Sequence, residues 1–233
     1  MALVPLNLPA GVYRNGTDLQ SQGRWRDSNL VRWFDDTLRP IGGWRTRSDT
    51  ASAGQVRGMH SWIANNSDRW IAAGSYNKLY AYSGAGIQYD ITPTGFTAGN
   101  EDALTPVGYG NSFYGQEYYG TPRQESVTIT PATTWSMDSW GQYLVACSST
   151  DGKVYEWQLS TGTIAAVVAN APVNNRSILV TEERFLMCLG AGGNPRLVQW
   201  SDREDNTVWT PAATNEAGSL ELQTTGRIQC GVR

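Results

Sequence analysis

Three stretches of the chain repeat one pattern of apolar and polar positions. Residues 69–74 read Arg-Trp-Ile-Ala-Ala-Gly, and after a short polar break residues 77–82 read Asn-Lys-Leu-Tyr-Ala-Tyr. Residues 142–147 (Gln-Tyr-Leu-Val-Ala-Cys) and 152–157 (Gly-Lys-Val-Tyr-Glu-Trp) follow the same plan, as do 184–189 (Arg-Phe-Leu-Met-Cys-Leu) and 195–200 (Pro-Arg-Leu-Val-Gln-Trp). In each, an apolar run led by an aromatic is followed by a turn and by an alternating run that closes on an aromatic. Alternation with period two bounded by turn residues predicts a β-hairpin, and Asp151-Gly152 is a strong hairpin-turn signal. The closing aromatics Tyr82, Trp157 and Trp200 lie 75 and 43 residues apart. A period near 43 residues fits one four-stranded propeller blade, typically about 40–50 residues. The longer gap is one such period plus an insertion near 97–134. The predicted fold is therefore all-β, a propeller-like repeat of four-stranded blades. A closed propeller takes about four to eight blades, so the repeat is incomplete over these residues. Either the N-terminal arm and the 45–60 region supply missing strands, or the chain is the front part of a longer propeller. Residues 226–233 read as the start of another strand.

The pattern divides the chain into residues 1–56, an extended N-terminal arm with closing strands, and residues 57–233, the repeat body. Pro5, Pro9, Gly11, Gly16 and Gly23 punctuate the first 23 residues, which read as extended chain with turns. Residues 28–34 could be a short helix capped by Asp27 or Ser28, but Trp33-Phe34 favours a strand. Residues 38–44 (Leu-Arg-Pro-Ile-Gly-Gly-Trp) read as a turn into another extended piece. Within the body, 108–120 is rich in Gly and Tyr and reads as an inserted loop. Residues 126–130 alternate again and are expected as a strand.

Composition agrees with strands and turns. The 233 residues include 25 Gly and 10 Trp, and only 17% are charged, a mix that disfavours long helices. The formal net charge is −3, which argues against bulk affinity for nucleic acid. The charge is unevenly spread: residues 1–60 carry eight Arg and five Asp, whereas 61–233 carry ten basic and sixteen acidic residues. A basic arm docking on an acidic body, its own or a neighbour's, is one consequence. All but Lys78 and Lys153 of the basic residues are Arg, which suits planar, stacked and paired contacts. Cys147, Cys188 and Cys230 make neither a disulfide framework nor a zinc motif. All three are expected as buried free thiols, in keeping with assembly in a reducing cytoplasm. The N-terminus lacks a basic n-region, and no stretch approaches the ~20 apolar residues of a membrane-spanning helix.

Candidate chemistry is thin. His60 is the single histidine, so no Ser-His-Asp or Cys-His set can be assembled, and no catalytic residue is assigned. Gly108-Tyr109-Gly110 and Gly190-Ala191-Gly192-Gly193 lack the rest of a phosphate-cradle motif and read as turns. Asp202-x-Glu204-Asp205-Asn206 has the composition of a calcium loop but not its turn glycine or distal Glu, so no metal and no cofactor is expected. Trp62, Trp70, Trp135, Trp140, Trp157, Trp200 and Trp209 could stack on sugars, but their repeat-like placement assigns them to blade cores. The segment 24–44 stands apart. It interleaves Arg24, Arg26, Arg32 and Arg39 with Trp25, Trp33 and Trp44. Arg24, Trp25, Arg26, Arg32, Trp33, Arg39 and Trp44 are read as a subunit interface, the indoles as anchors and the guanidinium groups as partners for acids. Contact of these arginines with DNA phosphates ranks second.

Four segments carry a resemblance: Leu8-Pro9-Ala10-Gly11-Val12-Tyr13-Arg14-Asn15-Gly16-Thr17, then Gly23-Arg24-Trp25-Arg26-Asp27-Ser28-Asn29-Leu30-Val31-Arg32-Trp33, then Leu38-Arg39-Pro40-Ile41-Gly42-Gly43-Trp44, and Arg196-Leu197-Val198-Gln199-Trp200-Ser201-Asp202-Arg203-Glu204-Asp205-Asn206-Thr207-Val208-Trp209-Thr210-Pro211. Together they resemble tail nozzle, tail-tube and packaged-DNA-stabilisation proteins of tailed bacteriophages, and the Gly/Tyr-rich insert has parallels there too. The resemblance implies a structural, non-enzymatic virion protein, assembled in the host cytoplasm and located in the tail. It would form a homo-oligomeric, usually hexameric ring below the portal and adaptor, touching these and other tail proteins, with propeller-like bodies around a channel that passes DNA without reading its sequence. Family members are commonly longer than this chain. The alternative is a propeller adhesin or lectin that binds host-surface glycans through exposed Trp and Tyr. A propeller hydrolase is the weakest reading, because the acid/base set is missing.

Overall fold

A computed structural model describes residues 9–43, 45–103 and 130–232. The Gly/Tyr-rich stretch 108–120, the expected strand from Ser126 and the indole of Trp44 lie outside the described residues. The chain forms two compact units, Met1–Arg47 and Ser48–Arg233.

The first unit contains one antiparallel hairpin, β1 (Val31–Phe34) and β2 (Thr37–Pro40), paired Val31 to Pro40 through Phe34 to Thr37. The strand expected at 28–34 is thus present. The turn, however, falls at Asp35-Asp36, and Leu38-Arg39-Pro40 is strand rather than turn. Both aspartates hold positive φ, 46° and 52°, the backbone that a tight two-residue hairpin requires and that Asx residues tolerate.

The second unit is all-β among its described residues, apart from one short 3-10 turn at Ala191–Gly193. Twelve strands form three four-stranded antiparallel sheets, each in simple sequence order. Sheet 1 contains β3 (Met59–Ile63), β4 (Arg69–Gly74), β5 (Leu79–Ser83) and β6 (Gln88–Asp90). Sheet 2 contains β7 (Trp135–Trp140), β8 (Tyr143–Ser148), β9 (Val154–Trp157) and β10 (Ala166–Val167). Sheet 3 contains β11 (Ser177–Val180), β12 (Leu186–Leu189), β13 (Leu197–Trp200) and β14 (Gly218–Glu221). The three hairpins read from the sequence are the middle pairs β4–β5, β8–β9 and β12–β13. Residues 226–232, expected to begin a further strand, form none.

The first strands pack beside one another, β7 against both β3 and β11, so the sheets stack face to face along two seams. In the first seam Trp62, Trp70, Ala72 and Leu79 of sheet 1 meet Trp135, Leu144, Tyr155 and Trp157 of sheet 2. Trp157 stands edge-on to Trp70 and Trp62, with ring centroids 5.2 and 6.5 Å apart, the geometry aromatic pairs prefer. Trp135 lies against the backbone at Gly74, where a Cβ would come within 2.3 Å of its ring. Its Nε1 donates to the Ser75 carbonyl at 2.7 Å. In the second seam Trp140, Val145, Cys147 and Val154 meet Ile178, Val180, Leu186 and Cys188, with Trp209 in the same cluster. Side chains of β7 also satisfy the backbone of β11. Ser136 Oγ donates to the Ile178 carbonyl and accepts from the Ile178 N–H, and Asp138 Oδ2 accepts from the Val180 N–H at 2.8 Å.

The repeat holds, with one shift of phase. Tyr82 lies opposite Ile71 and Trp157 opposite Leu144, but Trp200 lies opposite Met187. The residue opposite Leu186 is Ser201, which exchanges backbone and side-chain hydrogen bonds with it. One residue of offset turns a strand side chain to the other face, so Trp200 points away from the second seam and is only half-buried. Trp209, 3% exposed, supplies that seam's indole instead. Cys147 and Cys188 are buried as expected, whereas Cys230 is exposed.

Candidate assembly interface of the N-terminal unit

Alternation along β1 and β2 sorts the hairpin into two faces. Val31 and Trp33 share one face with Leu38 and Pro40; Arg32 and Phe34 share the other with Thr37 and Arg39. Trp33 packs on Trp25, with ring centroids 6.2 Å apart at an interplanar angle of 58°. Trp25 is held by a parallel bridge to Val12 and by the Tyr13 N–H, which donates to its carbonyl at 2.8 Å. The indole N–H groups of Trp25 and Trp33 are both buried without an acceptor among the described residues. Buried donors ordinarily find partners, so the two indoles are not fully provided for by the described residues of this unit.

The other face is basic and exposed. Arg32 and Arg39 are direct cross-strand neighbours. Like charges placed directly opposite are unfavourable, a cost that an acidic or aromatic partner would offset. Arg39 lies over the Phe34 ring at 4.9 Å, yet Phe34 remains 50% exposed. Arg24 lies over the Tyr13 ring at 5.3 Å, Arg26 pairs with Asp18, and Arg14 pairs with Asp27 at 2.9 Å. Of the four arginines expected to meet acids, Arg26 does so within the unit. Arg24 and Arg39 sit on aromatic rings, and Arg32 is exposed.

The remaining candidates of the body have structural surroundings. His60 Nε2 lies 2.8 Å from Ser139 Oγ and its ring stacks on Trp62. In the Asp202–Asn206 turn, Asp202 Oδ1 accepts from the Arg203 and Glu216 N–H groups, Asp205 Oδ1 accepts from Thr207, and Asn206 Nδ2 donates to Glu156. The Thr207 contacts hold the Asp205 carboxyl below the usual range. No three His, Cys, Asp or Glu side chains converge on a metal-sized site among the described residues. Trp62, Trp70, Trp135, Trp140, Trp157 and Trp209 are buried in the seams, which leaves half-buried Trp200 as the body's accessible indole among those described.

Sequence reasoning missed two features. One is the Arg32–Arg39 pairing, visible only once the turn is placed at Asp35-Asp36. The other is Asp138, which has no motif and acts across the second seam. Among the described residues no helix is long and apolar enough to cross a membrane. No protein-family model matches the chain, and neither a curated protein nor a solved structure shows similarity to it.

Proposed function

We propose that this chain is a structural protein of a tailed-bacteriophage virion: a ring component in the tail, below the portal and adaptor, that extends the DNA channel and helps retain or conduct the genome. The observation that carries the reading is the exposed Arg32–Arg39–Phe34 face of the N-terminal hairpin. Arg32 and Arg39 lie within the segments that resemble the nozzle and DNA-stabilisation proteins, and a repulsive Arg pair there suits an interface to be completed by another subunit. The three sheets are read as consecutive blades of a propeller. Their strands run in sequence order from a shared inner row, β3, β7 and β11, and the same connection recurs after each sheet. The N–H groups of Gly99, Asn175 and Ile228 donate to the carbonyls of Tyr76, Gly152 and Pro195, which lie in the middle-hairpin turns of sheets 1, 2 and 3. The acidic body would let DNA pass without sticking, since like charges repel.

The test is reconstitution with portal and adaptor proteins, followed by cryo-electron microscopy. A closed ring, hexameric in this reading, is expected with residues 24–44 between neighbouring subunits. Arg32→Glu with Arg39→Glu should abolish the ring and leave the circular-dichroism spectrum unchanged. A particle that stays monomeric beside its portal, or a hit on a glycan array dependent on Trp200, would replace this reading with the adhesin one.

A further inference from the structure

At the turn end of sheets 2 and 3 the two seams differ. Beside the first seam, Gly99 is packed tightly against Thr133 and Thr150, whose hydroxyls lie 2.7 Å apart. At the second seam the corresponding place is a hollow of about 260 Å³. Ser149, Thr150, Asn174, Arg176, Gly193 and Arg227 are among its lining residues, and no carboxylate lines it. The second unit carries more acidic than basic side chains, yet two arginines far apart in sequence, Arg176 and Arg227, both line this hollow. Neither forms an ion pair among the described residues. The nearest acid in sequence, Asp151, is turned to its own hairpin, where it accepts from the Lys153 N–H at 3.2 Å and from the Tyr155 hydroxyl. The hollow is rigidly built. Gly152 holds φ 60° where a Cβ would come within 2.4 Å of the Asn174 backbone, and Asn175 closes the seam by donating to the Gly152 carbonyl from both its N–H and its Nδ2.

We propose that this hollow binds a doubly charged phosphate group, as inorganic phosphate or a small phosphomonoester. The charge decides the class. Two guanidinium groups match the charge of about −1.5 to −2 and the three acceptor oxygens of a phosphomonoester near neutral pH, whereas a carboxylate is satisfied by one bidentate arginine. The inference rests on the two seams and not on the virion reading, and it stands if the ring does not form.

The experiment is calorimetric titration of the whole chain with inorganic phosphate, glucose 6-phosphate, glucuronate and an oligothymidylate without terminal phosphate. Saturable one-to-one binding of phosphate and glucose 6-phosphate is expected. Arg227→Gln, at an exposed position where the fold does not depend on it, and Arg176→Gln should each weaken binding at least about tenfold, since charge-assisted bonds are the strong ones. Arg69→Gln, on sheet 1, should leave it unchanged, and Arg227→Lys should restore part of it. Absence of phosphate binding, or binding indifferent to both Arg176 and Arg227, overturns the proposal. So does glucuronate binding as tightly as phosphate, which would make it a carboxylate site. Tighter, Arg227-dependent binding of the oligothymidylate would make it a phosphodiester site and overturn it equally.

Discussion

Trp157 carries the first seam, and its removal measures how much of the body's stability lies there. The residue is 1% exposed, stands edge-on to Trp70 and Trp62, and donates its Nε1–H to the Ser160 and Thr163 carbonyls at 3.2 and 3.1 Å. Truncating a buried Trp to Ala costs about 3–5 kcal/mol through lost transfer energy and the cavity left behind. Two edge-to-face partners, each worth about 0.5–1.5 kcal/mol beyond burial, place Trp157→Ala near the top of that range, about 4–5 kcal/mol. Domains are stable by only about 5–15 kcal/mol, so most of the margin would go. At roughly 2–4 °C per kcal/mol for a chain of this size, Tm should fall by about 10–15 °C. Trp157→Phe keeps a ring but drops the shared N–H bond, for about 1–2 kcal/mol. Trp200→Ala, at a half-buried position, should cost about 1–2 kcal/mol. Urea and thermal melts followed by far-ultraviolet circular dichroism give all three values. If Trp157→Ala and Trp200→Ala differ by less than about 1 kcal/mol, the seam is not organised on the Trp157 indole and the burial reasoning fails.

Three further outcomes are expected. Asp138→Ala leaves the Val180 N–H without its acceptor at the second seam, a loss of about 1–3 kcal/mol; amide exchange at Val180 should accelerate, whereas Asp138→Asn, which keeps an acceptor oxygen, should exchange more slowly than the Ala variant. Burial drives the Cys147 and Cys188 thiols well above their usual range, with mutual proximity adding to it for Cys188, so native protein should release one thiol equivalent to an aromatic disulfide reagent, from Cys230, and three in urea; a second fast thiol in the native state contradicts the packing. Partial burial pulls the Asp90 carboxyl up, but Lys78 and Thr92 outweigh it and hold its folded value below the unfolded one, so this contribution is present above the unfolded value and fades as pH falls through the folded one. The pair is 2.8 Å apart and about 40% exposed, which limits it to under about 1 kcal/mol; the destabilisation by Lys78→Met at neutral pH should shrink in salt and vanish in strong acid.

How much of this was legible follows from how local each signal is. The middle hairpins could be read because alternation and a turn residue are contained within a dozen neighbours. Their flanking strands could not. β10 is two exposed residues, Ala166 and Val167, and β11 is a four-residue run fixed by its pairing with β12 and by hydrogen bonds to Ser136 and Asp138 of β7. The hairpin at Asp35-Asp36 escaped notice because two aspartates in left-handed backbone replace the Asn-Gly or Asp-Gly that marks such turns. Cys147 closes the apolar run Leu144-Val145-Ala146 on a strand covered by a neighbouring sheet, whereas Cys230 follows Gln229 in a segment that forms no strand and stays exposed. In the candidate interface, Arg24, Trp25, Arg26, Arg32, Trp33 and Arg39 were recognisable as an unusual composition. That Arg32 and Arg39 face each other while Trp33 turns back to Trp25 depends on register, which composition does not contain.

The phase shift at Trp200 shows what the seams require. Superposing the three hairpins by their closing aromatics makes Trp200 the counterpart of Trp157, and the pairing of Ser201 with Leu186 shows it is not. Yet the second seam does not lack a ring. Trp209 enters the cluster from the long connection before β14, with its Nε1 donating to the Asn206 carbonyl at 2.7 Å. Each seam thus contains an indole from the later sheet set against aromatics of the earlier one, Trp157 on Trp62 and Trp70 in the first, Trp209 with Trp140 in the second. The position in sequence changes while an indole still enters the seam, in keeping with the close packing of protein interiors. Freed from the second seam, Trp200 joins Thr181, Phe185 and Met187 around a shallow apolar hollow of about 220 Å³ on the opposite face of sheet 3. Thr181 and Phe185 face each other across the β11–β12 turn as Trp62 and Trp70 do across β3 and β4, so this hollow occupies the place on sheet 3 that Trp157 fills on sheet 1. A strand pattern that looked like an imperfect repeat is therefore a repeat of seams, in which the ring that closes each one is free to come from a strand or from a loop.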